Sequence, residues 1–125
     1  MTHTLIVACG GALGAALRHL TNSAAMRLLG PNYPWGTLTV NILGSFVMGL
    51  IVELVARRLG ASTEMRLFLA TGVLGGYTTF SAFSLDAILM WERGAVASAF
   101  GYVVLSVVLS LAALVGGLAL GRALL

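Results

Sequence analysis

Apolar residues along this chain neither recur on a single helical face nor alternate as in a half-buried strand. They run in blocks, over about residues 4–29, 35–56, 64–90 and 95–120. A helix that is apolar all round must be covered on every side, and about 20 such residues at ~1.5 Å each cross the ~30 Å hydrocarbon core of a bilayer. The pattern predicts an all-α membrane protein, a single domain over residues 1–125 with four transmembrane helices. The blocks are separated by Pro31-Asn32-Tyr33-Pro34, by Arg57-Arg58-Leu59-Gly60 and by Trp91-Glu92-Arg93-Gly94, and Gly121-Arg122 closes the last. Proline and glycine punctuate such segments, and Tyr33 and Trp35 suit the water-lipid boundary. The purely apolar part of the first block, Leu5 to Leu17, is too short to cross the hydrocarbon, so its helix continues past Arg18. Arg18 then lies at or near a membrane edge.

The polar positions inside these blocks carry the information about function. Thr71 to Ser84 holds three glycines, five Ser/Thr hydroxyls and Tyr77 in the middle of the third block. Glycine lets a helix unwind, and irregular backbone at membrane depth survives only where protein or a water-filled cavity covers it. The third helix is therefore expected to be broken at mid-membrane, with unwinding at Gly75-Gly76 and bare carbonyls turned toward an ion. The competing use of these residues is close helix packing through Gly72-xxx-Gly76.

Two stripes run beside this stretch. Thr37, Asn41, Ser45, Gly49 and Glu53 are spaced four apart in the second block, and Ser98, Tyr102, Ser106 and Ser110 in the fourth. Residues at that spacing stack on one helix face. A single hydroxyl there serves well enough as an interhelical hydrogen bond, worth ~0.6 kcal/mol on average. Asn41 is different, because an amide is costly to bury unpaired. Two stripes beside a broken helix point to a polar pathway.

Composition and charge narrow the class. The chain is 59% hydrophobic and 9% charged, against about 25% charged in soluble domains. Every basic residue is Arg, and no basic cluster interleaved with aromatics suggests nucleic acid. Four crossings set Arg57, Arg58, Arg66 and Arg122 on one side and Arg18, Arg27 and Arg93 on the other. Orientation follows the Lys/Arg imbalance, and four against three is almost none. Either copies insert both ways and pair antiparallel, or the insertion machinery resolves a minor bias. Four short helices barely enclose a pathway alone, and an inverted second copy supplies the missing symmetry mate.

Cys9 is a lone packing cysteine, and His3 and His19 are isolated. No convergent catalytic set is present, so an enzyme is not expected. Cation routes show acidic side chains at depth, and only Glu53 and Asp86 are candidates, both near segment ends. Hydroxyls, an amide and the electropositive ring edges of Phe80 and Phe83 suit a small anion held by several weak donors. The alternative is a small proton-coupled multidrug-type exporter of four short helices. It calls for a membrane-embedded carboxylate, and the first helix has no acid.

Three motifs resemble one family. Gly72-Val73-Leu74-Gly75-Gly76-Tyr77-Thr78-Thr79-Phe80-Ser81-Ala82-Phe83-Ser84 is similar to the signature of the Fluc (CrcB) fluoride channels, Gly36 to Gly44 to their second-helix motif, and Gly11 to Arg18 to their first. The likeness covers nearly the whole chain, in order. It implies a dual-topology antiparallel homodimer with two pores in the bacterial plasma (inner) membrane, exporting fluoride passively. By the same resemblance Asn41, Phe80, Phe83, Ser106, Ser110, Tyr102, Thr37 and Thr79 line the fluoride path, and Arg18 is a vestibule arginine. The backbone carbonyls of Gly75 and Thr78 are expected to hold a structural sodium ion at the dimer axis. Two positions depart from the family pattern: Ala82 stands where a Thr is common, and Asp86 where a longer Glu is common, which leaves a link from Asp86 to Tyr102 open.

Overall fold

Where the apolar blocks end is decided by backbone chemistry. A computed structural model describes residues 1–58, 60 and 62–125. Helix α1 (Thr2–Leu29) stops at Gly30, which takes a left-handed φ of 84° and donates its N–H to Met26 O at 3.0 Å. Only a residue without a Cβ adopts that conformation freely, and Pro31 and Pro34 then forbid continuation. Helix α2 (Trp35–Arg57) begins directly after Pro34. The expected breaker at 57–60 is arginine-capped, with Leu59 outside the described residues. Gly94, at φ 89°, makes the turn from the third span into α6 (Val96–Leu124).

The third span, Thr63–Glu92, is not one regular helix. It begins as α3 (Thr63–Arg66), capped by Ser62 Oγ, which accepts the Met65 N–H at 3.3 Å. It widens into a π-helical stretch, Leu67–Leu74, and returns to α geometry for α4 (Gly75–Tyr77). Thr78 (φ −84°, ψ 161°) and Thr79 (φ −153°, ψ 124°) are extended, and α5 (Phe80–Glu92) resumes after them. All four spans are long and apolar enough to cross a membrane, so the chain is a multi-pass, all-helical membrane protein. Each reaches slightly beyond the expected limits, by up to four residues at the end of α6.

The break therefore differs from the expectation in place. Gly75 and Gly76 do not unwind; Gly75 is helical at φ −61°, ψ −37°. Their missing side chains serve packing instead. A Cβ on Gly76 would lie 2.6 Å from Gly11 O, one on Gly72 would lie 2.9 Å from Gly10 Cα, and one on Gly10 would lie 2.6 Å from Phe68 O. Glycines on both partners bring α1 and the first half of the third span into backbone contact. Tyr77 ties the same pair together. Thr21 donates its only proton to Leu17 O at 3.0 Å, so the Tyr77 hydroxyl is the donor in the 2.9 Å bond to Thr21 Oγ1.

Helices α2 and α6 form the other half of the bundle, again on glycines. A Cβ on Gly49 would sit 2.6 Å from Leu114 O and one on Gly121 2.7 Å from Glu53 Cβ. Past this contact the Glu53 carboxylate takes Arg57 Nε on one oxygen and Arg122 Nε on the other, both at 2.9 Å.

Candidate ion pathway

The break has a visible cause. Extended backbone at Thr79 points its N–H and C=O to the same side, as in a strand residue facing its hydrogen-bonded partner. Asn41, from the middle of α2, answers both: its Oδ1 accepts the Thr79 N–H at 2.8 Å and its Nδ2 donates to Thr79 O at 3.0 Å. Only one amide orientation satisfies both bonds, which fixes the side chain without ambiguity. The Thr79 hydroxyl then caps α5, accepting the Ala82 N–H at 3.1 Å. Capping by a Thr side chain is the ordinary way to start a helix.

The carbonyls from Gly75 to Thr78 lose their helical donors in the process. In a continuous α-helix the Thr79 N–H bonds Gly75 O and the Ala82 N–H bonds Thr78 O. Here the first goes to Asn41 and the second to Thr79 Oγ1. Gly75 and Thr78, the two residues expected to offer carbonyls to a cation, are the first and last of the four, Gly75 to Thr78, whose carbonyls the break leaves without a helical donor. Gly75 is exposed on the single chain.

On the other side of the break lies a groove of about 350 Å³ between α2, α5 and α6. It gathers Asn41, Thr79, Phe80, Phe83, Ser106 and Ser110, six of the eight residues expected along an anion path. Ser106 Oγ and Ser110 Oγ are buried and have no hydrogen-bond partner among the described residues. Asn41 has one Nδ2–H left after binding Thr79. Phe80 and Phe83 lie 5.6 Å apart between ring centroids, and Phe80 is 79% exposed on the single chain.

Tyr102 and Thr37 fall outside this groove. Tyr102 is wholly buried behind it, 5.3 Å from the Phe83 ring and edge-on to Tyr33 at 5.7 Å, and its hydroxyl donates to Asp86 Oδ2 at 3.1 Å. The shorter Asp86 does reach Tyr102. Thr37 lines a separate cavity of about 250 Å³ with Asn22, Tyr33 and Asp86. Tyr33 sits in the α1–α2 turn, where partial burial raises its phenol above the ordinary value. Arg18 lies on α1, half-buried and without an ion pair among the described residues. No group of three or more His, Cys, Asp or Glu that could hold a metal occurs among the described residues.

Ser45, a member of the second-block stripe though not among the eight residues implied by the resemblance, also lines the groove, and its place four residues after Asn41 is the signal for it. The apolar lining by Val107 and Leu111 had no comparable mark in an already apolar helix.

The sequence model described as CrcB-like protein, Camphor Resistance (CrcB), matches residues 5–118. The chain belongs to the CrcB family. A CrcB relative from Agrobacterium fabrum, named fluoride-specific ion channel FluC, is 62% identical over 98% of both chains. Relatives of the same name from Mesorhizobium japonicum and Chelativorans sp. are 58% and 57% identical over 99% and 100% of both chains. The CrcB match takes in the α1 glycines, the Asn41 clamp, the break and the α6 serines alike.

Proposed function

We propose that this protein is a fluoride-selective channel that lets fluoride leave the cell passively across the bacterial inner membrane. The observation that carries the reading is the pair Ser106 and Ser110: two buried hydroxyls, one helical turn apart, with no partner among the described residues and a shared groove. A buried polar group without a partner costs about 1–3 kcal/mol. A bound anion that accepts from both hydroxyls and from the spare Asn41 N–H offsets that cost. The same relatives' names supply the ion. Fluoride holds its water strongly, so its route must replace that water with donors while letting the ion go. Two hydroxyls, one amide N–H and the edges of Phe80 and Phe83 are individually weak donors, and none is a fixed positive charge that would trap the ion. The start of α5, beside the groove at Thr79 and Phe80, adds the partial positive charge of a helix N-terminus. An inside-negative potential then drives the anion outward, at about 2.3 kcal/mol per charge per 100 mV.

We read the working unit as an antiparallel homodimer with the break near mid-membrane. Phe80 stands out from a single chain, and the arginine balance is nearly even, so copies inserted both ways are the simplest source of a cover for the groove. The freed carbonyls of Gly75 and Thr78 fit a hard cation of the sodium type, which favours oxygen donors. Such an ion supplies a fixed charge that holds the two breaks together; it is not transported. Neither candidate acid serves proton exchange at the groove, since Glu53 is held by two guanidinium groups and Asp86 accepts from Tyr102.

The test is anion efflux from liposomes carrying the purified protein, with valinomycin and a potassium gradient. Fast fluoride loss without chloride loss is expected. Folded protein that releases no fluoride ends the channel reading.

A further inference from the structure

Asn41 lines the groove, yet most of its hydrogen-bonding capacity is spent elsewhere. Its carbonyl and one of its N–H groups are engaged by a single backbone residue, Thr79. We infer that Asn41 is a positioning residue for the cation site: its amide stands in for a strand partner, holds Thr79 extended, and thereby keeps the Gly75 carbonyl uncovered. The inference rests on the channel and cation readings above.

The argument is one of competition for a proton. The Thr79 N–H has two possible acceptors, Asn41 Oδ1 and, if the helix closes, Gly75 O. With Asn41 present the bond is made to the side chain at 2.8 Å, and Thr79 takes φ −153°. Without it, Thr79 N–H and C=O are left unpaired in a half-buried place, and the chain recovers the bond by winding one more turn onto α4. That turn covers Gly75 O and carries Thr79 Oγ1 away from the Ala82 N–H it caps. Gly76 and Gly72 do not resist it, because both already sit in a helix. The side chain must donate and accept at once from two neighbouring atoms at the reach of one methylene, as the asparagine amide does. Asn41 also lines the groove, so one amide serves the anion route and, through Thr79, the cation site. The two sites are thereby coupled: whatever loosens the amide from Thr79 weakens the cation.

A pore-lining residue and a positioning residue differ in how sodium affects their loss. The full-length protein and Asn41→Ala would be compared in lipid by three measurements: fluoride efflux, the sodium concentration that half-stabilises the dimer against heat, and the Thr79 Cα chemical shift. The expected results for Asn41→Ala are a sodium midpoint raised at least tenfold, efflux that is reduced at ordinary sodium and partly restored at high sodium, and a Thr79 shift moved from extended toward helical. A folded variant whose Thr79 shift stays extended, or whose sodium midpoint is unchanged while efflux falls, overturns the inference and leaves Asn41 as an anion contact alone. If the alanine variant does not fold, Asn41→Asp decides. It is isosteric and still accepts from Thr79 N–H, but sets an oxygen against Thr79 O, and the same changes are expected in smaller degree. A wild-type protein with no sodium dependence removes the cation reading separately, and the Thr79 shift in the variants then judges the clamp.

Discussion

The third span behaves as two different devices on either side of Thr78. Before it, from Leu67 to Tyr77, the chain faces α1 across glycines, and its hydroxyls beside the break are bonded: that of Tyr77 to Thr21, and that of Thr78 back to Leu74 O at 2.9 Å. After it, α5 faces α2 and α6 across a groove in which buried hydroxyls have no partner. The first half achieves closeness by deleting side chains, and the second keeps donors idle. In a membrane, where lipid is as apolar as leucine, small residues are the usual means of helix contact. Idle donors have no such general use and mark the half that handles a ligand.

The comparison breaks most readily at the glycines. Gly76→Leu places a branched side chain against Gly11 O and Ala15 N on α1. Overpacking costs about 1–3 kcal/mol where neighbours yield, and here the neighbour is helix backbone. No folded protein is expected on size-exclusion chromatography in detergent; a normal elution profile would show that the two helices are not in backbone contact. In the groove half the expected loss is of flux rather than fold. Phe80→Ile and Phe83→Ile should each cut fluoride efflux at least tenfold while the protein remains folded by the same chromatography. Unchanged efflux in folded protein takes the ring edges out of the pathway. The smallest effect sharpens the contrast most. Ser106→Ala and Ser110→Ala remove a buried hydroxyl with no partner, so thermal stability should hold or rise by about 1 kcal/mol. Efflux should nevertheless fall several-fold. A clear loss of stability would mean that these hydroxyls are bonded in the native protein, and that the groove holds no idle donors.

Much of this was legible in the residues. The four spans follow from run length and breakers, and the groove from three separate signs: two stripes spaced four residues apart and the hydroxyl-rich segment Thr71 to Ser84. The place of the break was not legible. Glycine marks where a helix is able to unwind, and Gly75-Gly76 looked sufficient. Where it does unwind depends on which backbone group finds a better partner, and that partner, Asn41, lies 38 residues away. The fate of Tyr102 was hidden for a similar reason. Spacing placed it on the same face as Ser106, but a large ring beside Phe83 and Tyr33 fills the space behind the groove and reaches Asp86 there. Glu53 likewise read as a possible proton carrier until Arg122, from the far end of the chain, was found against it.

The π-helical stretch sets the phase of everything after it. Its bonds reach back five residues, as from Gly75 N–H to Ala70 O, whereas an α-helix reaches back four. Each α-helical residue advances about 100° around the axis. Dropping a single residue from 67–74 would swing Gly76, Thr78 and Thr79 by roughly that angle unless the wide turns closed to α geometry to absorb it. The glycine would leave α1 and the threonine would leave Asn41 together. Apart from Thr71 and Gly72, which packs on Gly10, the stretch consists of ordinary apolar side chains that exchange for one another at little cost, so the family should be more tolerant there of spelling than of length.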